Sequence, residues 1–287
     1  LVGSANVSAL WRRGAWSISN GYPRCVTFFR ERLCFGQEQR LDMSNVGDFE
    51  NFSVDEFGEI TAESAISITT QSAETNDIVG LAEGTILIIN TEGAEFTLDG
   101  PSTSEPLGPN NVRVSRQTAY GSHPIRPVRV DESVLFVQAS GRKLRSLQYT
   151  FDADTFRAPD MTVRADHIGK EGHFTQLVRQ EEPHQTMWCV REDGVLISFA
   201  YDTTQEVRAW ARHSIGGTDA KVESITVVPA PDLRSDRLWM IVSRTINGGT
   251  RRYVEYMNIE YLVGDDLADV KYADGLLSYA GAATTTL

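Results

Sequence analysis

The residues suited to acid-base or metal chemistry are few in this chain of 287 residues. The histidines are His123, His167, His173, His184 and His213. None of them has the spacing of zinc ligands, so surface or capping roles are favoured for each. Asp160, Asp166 and His167 lie close in sequence and are the best candidates for an acid-base group. Loop capping and turn formation explain the same three residues, and we favour that interpretation.

Calcium, nucleotide and nucleophile motifs do not strengthen an enzyme hypothesis. Asp152 and Asp154 flank a predicted turn but lack the glycine and glutamate of a calcium loop, so we interpret them as turn residues. The sequence contains no G-x-S-x-G, H-E-x-x-H, P-loop or G-x-G-x-x-G motif. We therefore assign no catalytic, cofactor-binding or metal-binding residue.

Large aromatic residues on predicted strands have two interpretations, packing between sheets or a platform that stacks on sugars. They are Trp188, Trp210, Trp239, Tyr149, Tyr201 and Tyr253. Packing is favoured, because the strands of stacked sheets need large side chains between them. The residues predicted to form the core are Trp188, Leu196, Phe199, Leu238, Met240 and Val254.

The cysteines and the charge bound the environment of the protein. Cys25, Cys34 and Cys189 cannot all pair, so buried free thiols and a reducing compartment are expected. The net charge is -12 and the acidic residues are spread along the chain, which disfavours tight phosphate binding. No stretch approaches the roughly 20 unbroken apolar residues of a membrane helix, so we expect no membrane insertion by this segment.

The stretch Thr186–Ser214 shows how the rest of the chain is built. An apolar run ends at the polar turn around Asp193 and Gly194, and a second apolar run, Val195 to Tyr201, follows. An Asp-Gly pair between β-branched and aromatic residues predicts a β-hairpin, because such turns need positive φ angles. Val207 to His213 alternates and predicts a further strand, which makes the unit an antiparallel meander.

The same pattern recurs and predicts an all-β, β-propeller-like fold. The predicted meanders are Cys25–Gly36 with flanking strands in Ser17–Ser19 and Leu41–Val46, Ile78–Thr118, Pro127–Ile168 with Met161–Ile168 as its last strand, Phe174–His213, and Lys221–Asn258. The hairpin glycines Gly93, Gly141, Gly194 and Gly248 are 48, 53 and 54 residues apart. A repeat near fifty residues with about four strands per unit is typical of propeller blades.

Five four-stranded antiparallel units are visible, and a sixth is possible from Ile66–Thr70 or from the ends of the chain. A sandwich or two small β domains are the alternatives. Asp48–Ser64 is acidic and irregular and predicts a long surface connection with Phe49, Phe52 and Phe57 as anchors. We expect one propeller-like domain over residues 1–270 and the start of a following domain or linker over residues 271–287, in a chain excised from a longer protein.

Long linear stretches of the chain resemble one known family. The stretch GYPRCVTFFRERLCFG, Gly21–Gly36, is similar to the N-terminal part of the tail tubular protein B, or tail nozzle, of short-tailed bacteriophages. Further similar stretches follow in the expected order and cover nearly the whole chain: Met43–Glu56, Leu107–Ser122, Tyr149–Ile168, Met187–Gly217 and Asp236–Met257. The chain departs from the family by ending where a further domain is expected, after a lead-in at Tyr272–Leu287.

The resemblance implies a structural virion protein of the phage tail that is not an enzyme and is assembled in the cytoplasm of the bacterial host. It implies a homo-oligomeric ring of six, contacts with the phage adaptor and with tail fibre or spike proteins, and passage of duplex DNA without sequence specificity during ejection. The hypothesis from a different class is a carbohydrate-binding or glycoside-cleaving β-propeller, which would need two or three converging carboxylates.

Overall fold

The computed structural model describes residues 16–18, 20–54, 59–70, 76–101, 105–231 and 235–258. Within these residues the regular secondary structure is almost entirely β-strand, with one short 3-10 turn at Phe151–Ala153 and one short helix. The elements are β1 Cys25–Phe29, β2 Arg32–Gln37, β3 Arg40–Met43, β4 Ile66–Thr69, β5 Ile78–Ala82, β6 Leu87–Thr91, β7 Glu95–Asp99, β8 Arg113–Thr118, β9 Val128–Val130, β10 Ser133–Val137, β11 Leu144–Thr150, β12 Thr155–Arg157, α1 His167–Lys170, β13 Phe174–Gln180, β14 Thr186–Arg191, β15 Leu196–Asp202, β16 Val207–His213, β17 Lys221–Pro229, β18 Asp236–Ile246 and β19 Gly249–Tyr256.

The strands form five sheets that follow one another along the chain. Sheets one to four contain β1–β4, β5–β8, β9–β12 and β13–β16, and sheet five contains β17–β19. Each strand pairs with its sequence neighbours, so every sheet is a meander. The predicted all-β, β-propeller-like fold is confirmed. Sheet five differs from the prediction because it has three strands, not four, within the described part of the chain.

The predicted hairpin glycines lie between paired strands. Gly141, Gly194 and Gly248 take φ values of 72°, 88° and 75°, in the left-handed region that glycine adopts most readily. Gly93 occupies the corresponding turn between β6 and β7 without a positive φ. At least two positive φ values were predicted among the four, and the prediction is confirmed.

Two strand predictions are wrong in detail. Met161–Ile168 is not the last strand of the third meander, because Asp160 Oδ1 accepts hydrogen bonds from Thr162 N at 2.8 Å and Thr162 Oγ1 at 2.5 Å. These bonds hold a turn that leads into α1, and β12 pairs with β11 instead. The strand expected at Ile66–Thr70 gives no sixth unit, because β4 pairs with β3 as the fourth strand of sheet one.

The chain divides into two compact units. Among the described residues, the first comprises those up to Ala139 and Ser146–Pro159, and the second comprises Ser140–Arg145 and those from Asp160 onward. Residues 271–287, expected to begin a following domain or linker, lie outside the described ranges. In the first unit, apolar residues are buried between sheets one and two and between sheets two and three. In the second unit, the apolar core lies between sheets four and five.

Five of the six predicted core residues are buried, namely Trp188, Leu196, Phe199, Leu238 and Met240. The prediction for Val254 is wrong, since its exposed fraction is 71%. Val254 pairs with Ile241, whereas Leu238 and Met240 alternate onto the other face of β18, which packs in the core. Ile241, which lies on the same face as Val254, is 39% exposed.

The described parts of the predicted connection, residues 48–54 and 59–64, are irregular apart from one bridge between Asn45 and Asp48, as predicted. The Phe52 ring contacts Phe35 and Trp16 with centroids 5.7 and 4.9 Å away, so Phe52 anchors the connection. The Phe49 ring meets Phe28 edge-on at 5.1 Å. Phe57 lies outside the described residues.

A buried arginine ties this connection to sheet one. Arg32 at the start of β2 has no exposed surface, and its guanidinium donates hydrogen bonds of 2.6 to 3.3 Å to five backbone carbonyls. Burial lowers the pKa of Arg32. The acceptors belong to Ser44, Ala62, Glu63, Ser64 and Leu107.

A second buried arginine organises sheet four. Arg191, at the end of β14, forms a bidentate pair with Asp193 at 2.9 and 2.6 Å and a further ion pair with Glu171 at 2.8 Å. Its Nη1 donates to Ile168 O at 2.9 Å, which holds α1 against the sheet. The hydrogen bond to Asp193 is the main reason why the pKa of Arg191 is raised.

Candidate functional site: a mixed-charge cleft in the first unit

A cleft of about 360 Å³ lies in the first unit where the β1–β2 turn, the β5–β6 loop and β9 meet. These elements belong to three consecutive sheets. The cleft is lined by Phe28, Phe29, Arg30, Glu31, Glu83, Gly84 and Arg129. It therefore combines two cations, two carboxylates and an aromatic wall.

The β1–β2 turn places Arg30 and Glu31 at the cleft. Phe29 pairs with Arg32, so only these two residues form the turn. Both take positive φ values, 45° and 58°, as tight two-residue hairpin turns require. Asn-Gly or Asp-Gly usually occupies a turn of this geometry. Here two large charged residues occupy it instead, at the tip of the hairpin.

Arg30 is held across the cleft by sheet two. Its Nη2 lies 2.8 Å from Asp99 Oδ1 and donates to Thr85 O at 3.3 Å. The guanidinium carbon also lies 5.2 Å from the centroid of the Phe29 ring. These contacts fix the orientation of the Arg30 guanidinium beside the opening.

The two carboxylates of the cleft are available to a ligand. Glu31 and Glu83 are exposed, and within the described ranges no hydrogen bond or ion pair engages either carboxylate. The backbone of Glu31 is anchored, because its carbonyl oxygen accepts a 2.9 Å hydrogen bond from Gly47 N. Arg129, on the other side, donates from Nε to Asp131 O at 2.9 Å.

Phe28 supplies the accessible aromatic surface of the cleft. Its exposed fraction is 53%, and its ring is supported by the edge-on contact with Phe49. Sequence analysis did not single out Phe28, although the Phe28-Phe29 pair carries a usable signal. Adjacent residues of a strand face opposite sides of the sheet, so one ring of the pair had to point away from the core.

A smaller cleft of about 150 Å³ lies in the second unit and is lined in part by Trp188 and Asp236. Two of its polar side chains already have partners within the fold. The Trp188 Nε1 donates to Gln180 Oε1 at 2.7 Å, and the Asp236 carboxylate accepts hydrogen bonds from the backbone of Glu181 and Glu182 at 2.9 and 3.1 Å. These contacts explain Trp188 and Asp236 as structural residues.

The acid-base group considered for Asp160, Asp166 and His167 does not assemble. Asp166 and His167 are exposed at the start of α1, whereas Asp160 bonds to Thr162 and to Lys143 Nζ at 2.8 Å. Burial would raise the pKa of Asp160, but the hydrogen bonds from Lys143 and Thr162 outweigh burial and lower it. The interpretation as loop-forming residues is the one the geometry supports.

The histidines and turn aspartates form no metal site within the part of the chain that is described. His213 Nε2 lies 2.7 Å from Ser198 Oγ, and burial lowers the pKa of His213. His173 Nδ1 lies 2.8 Å from Glu192 Oε2. Asp154 takes a left-handed conformation in its turn and accepts a 2.5 Å hydrogen bond from Tyr149, as expected for a turn residue.

The aromatic residues on strands serve packing to different extents. Trp188 and Tyr201 are buried, and Trp210 stacks on Phe199 with ring centroids 4.2 Å apart. Trp239 contacts Tyr256 at 5.0 Å. Tyr149 and Tyr253 are exposed, but neither lines the cleft of the first unit.

The three cysteines are free thiols, with Cys34 and Cys189 buried and Cys25 half-buried. Burial raises the pKa of Cys25 to about 11 and that of Cys34 to about 12, and it also raises the pKa of Cys189. The prediction that the thiols are free is confirmed. The prediction that they are buried is confirmed for Cys34 and Cys189, whereas Cys25 is only half-buried. Within the described ranges, no helix has the length and apolar character needed to cross a bilayer.

No family model matches the chain, and no curated protein matches its sequence. Among solved structures, a protein from Lactobacillus plantarum is similar with a TM-score of 0.46 and 10% identity, covering 83% of this chain and 70% of the other. The β-propeller domain of Cps50 (Swd1) from Myceliophteria thermophila is similar with a TM-score of 0.45 and 12% identity, over 88% of this chain and 69% of the other.

An auxiliary nutrient binding protein from Bacteroides thetaiotaomicron is also similar, with a TM-score of 0.43 and 11% identity. That similarity covers 81% of this chain but only 56% of the nutrient binding protein, so this chain spans little more than half of its length.

Proposed function

We propose that this chain is a structural, non-enzymatic subunit of a phage tail nozzle and forms part of the conduit through which DNA is ejected. The observation that carries the proposal is the ordered series of stretches that resemble the tail tubular protein B family. The stretches Gly21–Gly36, Met187–Gly217 and Asp236–Met257 coincide with the β1–β2 hairpin, with β14–β16 and with β18–β19. Each of these stretches therefore includes paired strands and the turns that join them.

The way loops are attached to sheets supports a rigid structural role. Arg32 holds the connection 59–64 and the segment around Leu107 against sheet one through hydrogen bonds to backbone carbonyls. Arg191 holds α1 and the β14–β15 turn against sheet four. A conduit subunit must keep its shape while DNA passes, and buried networks of this kind make loops behave as part of the sheet.

The charge of the chain supports weak contact with DNA. The net charge is -12, and not every arginine that could oppose it is accessible. Arg142 and Arg251 are exposed, but Arg145 is buried and Arg252 pairs with Glu223 at 2.7 Å. Phosphate binding depends on free cations, so we expect duplex DNA to bind more weakly than the roughly 10⁻⁴ to 10⁻⁶ M of ordinary non-specific binders.

Negative-stain microscopy of the full-length protein, alone and mixed with the phage adaptor, tests the assembly. We expect rings with six-fold symmetry that stack on the adaptor. A full-length protein that stays monomeric with and without the adaptor contradicts the proposal. A DNA titration at two salt concentrations tests the conduit, and sub-micromolar affinity with a steep salt dependence contradicts passive passage.

A further inference from the structure

We propose that the mixed-charge cleft of the first unit binds a neutral saccharide. The cleft is lined by Phe28, Phe29, Arg30, Glu31, Glu83, Gly84 and Arg129, and its volume of about 360 Å³ is at the lower end of the range for small-molecule sites. This proposal goes beyond the structural role proposed above and does not depend on it.

The hydrogen-bonding groups of the cleft match a polyol. The carboxylates of Glu31 and Glu83 have no partner among the described residues, and ionised carboxylates only accept hydrogen bonds. They therefore call for a ligand rich in donors such as hydroxyl groups. The Arg30 guanidinium uses Nη2 on Asp99 and Thr85, which leaves its other N–H groups as donors for ligand oxygens.

The balance of charge favours a ligand without net charge. Two arginines and two glutamates line the cleft, so the formal charges of the lining side chains cancel. An ammonium ligand drawn to Glu31 or Glu83 would meet the nearby guanidinium groups, and a phosphate or carboxylate ligand would meet the two glutamates. A sugar ring presents donors and acceptors on neighbouring hydroxyls and has no charge to be repelled.

The aromatic wall fits the apolar face of a sugar ring. Phe28 is 53% exposed although it lies on a strand, and Phe49 supports its ring from the side at 5.1 Å. An exposed aromatic face beside a few convergent polar groups is the usual composition of a small-ligand site. The C–H face of a pyranose would cover this ring while its hydroxyls reach the charged side chains.

The hairpin backbone and the Arg30 side chain are also positioned before any ligand arrives. The left-handed conformations of Arg30 and Glu31 fix the direction in which each side chain leaves the hairpin, and the Gly47 amide anchors the Glu31 carbonyl. Arg30 is fixed at its far end by Asp99. Such preorganisation lowers the entropy cost of binding and makes a shallow cleft usable.

The experiment is a titration of the isotope-labelled protein, followed by backbone amide NMR, with glucose, galactose, N-acetylglucosamine, lactose and chitobiose. Spermidine and inorganic phosphate serve as charged probes. We expect at least one saccharide to shift the amides of residues 28–31 and 83–84 in a saturable way, with a Kd in the millimolar range, and the charged probes to leave these amides unchanged.

Two variants locate the site, each with a matched control. Glu83→Gln keeps the size of the side chain but removes its charge, and Phe28→Ala removes the ring; we expect each to weaken the saccharide by about five- to tenfold. Glu206→Gln and Phe151→Ala change an exposed glutamate and an exposed phenylalanine away from the cleft and should leave the affinity unchanged.

Three outcomes overturn the proposal. The first is that none of the saccharides shifts the cleft amides. The second is that a saccharide binds but Glu83→Gln and Phe28→Ala leave its affinity unchanged, which places the sugar elsewhere. The third is that spermidine or phosphate shifts the cleft amides and the saccharides do not, which assigns the cleft to a charged ligand. None of these outcomes affects the microscopy that tests the nozzle proposal.

Discussion

Arg32 in the first unit and Arg191 in the second are both buried, but different groups stabilise the two buried cations. Arg32 donates to five neutral backbone carbonyls, and burial lowers its pKa. Arg191 faces two carboxylates, and the hydrogen bond to Asp193 raises its pKa. Carbonyl dipoles stabilise a cation without a titrating partner, whereas carboxylates make its stabilisation depend on pH.

The difference also separates long-range from local organisation. The acceptors of Arg32 lie 12 to 75 residues away in sequence, so this one side chain fixes the path of several loops. Asp193 is only two residues from Arg191, and Glu171 lies 20 residues away. We therefore expect the removal of Arg32 to disturb the first unit widely and the removal of Arg191 to disturb mainly α1 and one turn.

The largest effect is expected from the truncation of a large core side chain, which sets the scale for both arginines. Trp188→Ala should lower the free energy of unfolding by about 3–5 kcal/mol, because a buried ring of the core between sheets four and five is lost. Trp188→Phe is the control, since it keeps most of the volume and loses the bond to Gln180. Chemical denaturation measures both, and an alanine variant as stable as the parent would contradict the predicted core.

Arg32→Met should follow with a loss of about 3–4 kcal/mol, because it leaves buried carbonyls of two loops without donors. Hydrogen exchange should show faster opening at residues 59–64 than in the parent. Arg32→Lys is the control and should restore only part of the stability, because one ammonium cannot reach acceptors on both sides of the guanidinium. Full restoration by lysine would mean that charge alone, and not the set of carbonyl contacts, matters.

Arg191→Met should cost less, about 1–3 kcal/mol. The carboxylates that it leaves behind are partly exposed, with 59% of the Glu171 side chain and 38% of the Asp193 side chain accessible, so water can replace the lost bonds. Exchange should accelerate at α1 and not in sheet five. If this variant is less stable than Arg32→Met in the same denaturation series, the proposed contrast between the two sites is wrong.

Acid should sharpen the contrast. The Arg191 hydrogen bond is the main cause that lowers the pKa of Asp193, so the contribution of this pair to stability is complete above the ordinary aspartate pKa of about 4. It is lost as the pH falls through the lowered pKa of folded Asp193. The cost of Arg191→Met should therefore shrink in acid, whereas the cost of Arg32→Met, which removes bonds to carbonyls, should change much less. Denaturation at several acidic pH values measures both costs.

The smallest effect is expected at the surface of sheet five. Val254→Thr should change the free energy of unfolding by less than about 0.5 kcal/mol, because the side chain is 71% exposed. Val242→Thr, at a buried position of the neighbouring strand, is the matched substitution and should cost clearly more. Equal costs for the two variants would restore the original assignment of Val254 to the core.

Much of the fold could be predicted from the sequence because its signals are local. Gly141, Gly194 and Gly248 mark turns whose backbone needs positive φ, and the apolar runs beside them define the strands. The errors arise where a local pattern has two solutions. Met161–Ile168 alternates like a strand, but the hydrogen bonds from Thr162 to Asp160 turn the chain instead.

Other features depend on contacts that no spacing reveals. Along Arg251–Tyr256 both faces of the strand carry polar and apolar residues, so the alternation does not show which face is buried. Only the pairing of Ile241 with Val254 shows which face is outside. The cleft is formed by Arg30, Glu83 and Arg129, which are far apart in sequence. The acceptors of Arg32 are backbone carbonyl oxygens, which every residue carries, so the sequence does not show which of them the guanidinium contacts.

Because the cysteines are free thiols, local opening of each unit can be measured in the unmodified chain. The thiolate is the form that attacks alkylating reagents, so burial and a pKa raised to about 12 protect Cys34 while sheet one stays closed. Cys189, buried in β14, is protected in the same way in the second unit. Alkylation followed over time by peptide mass spectrometry would then yield a separate opening rate for each unit, without any introduced label.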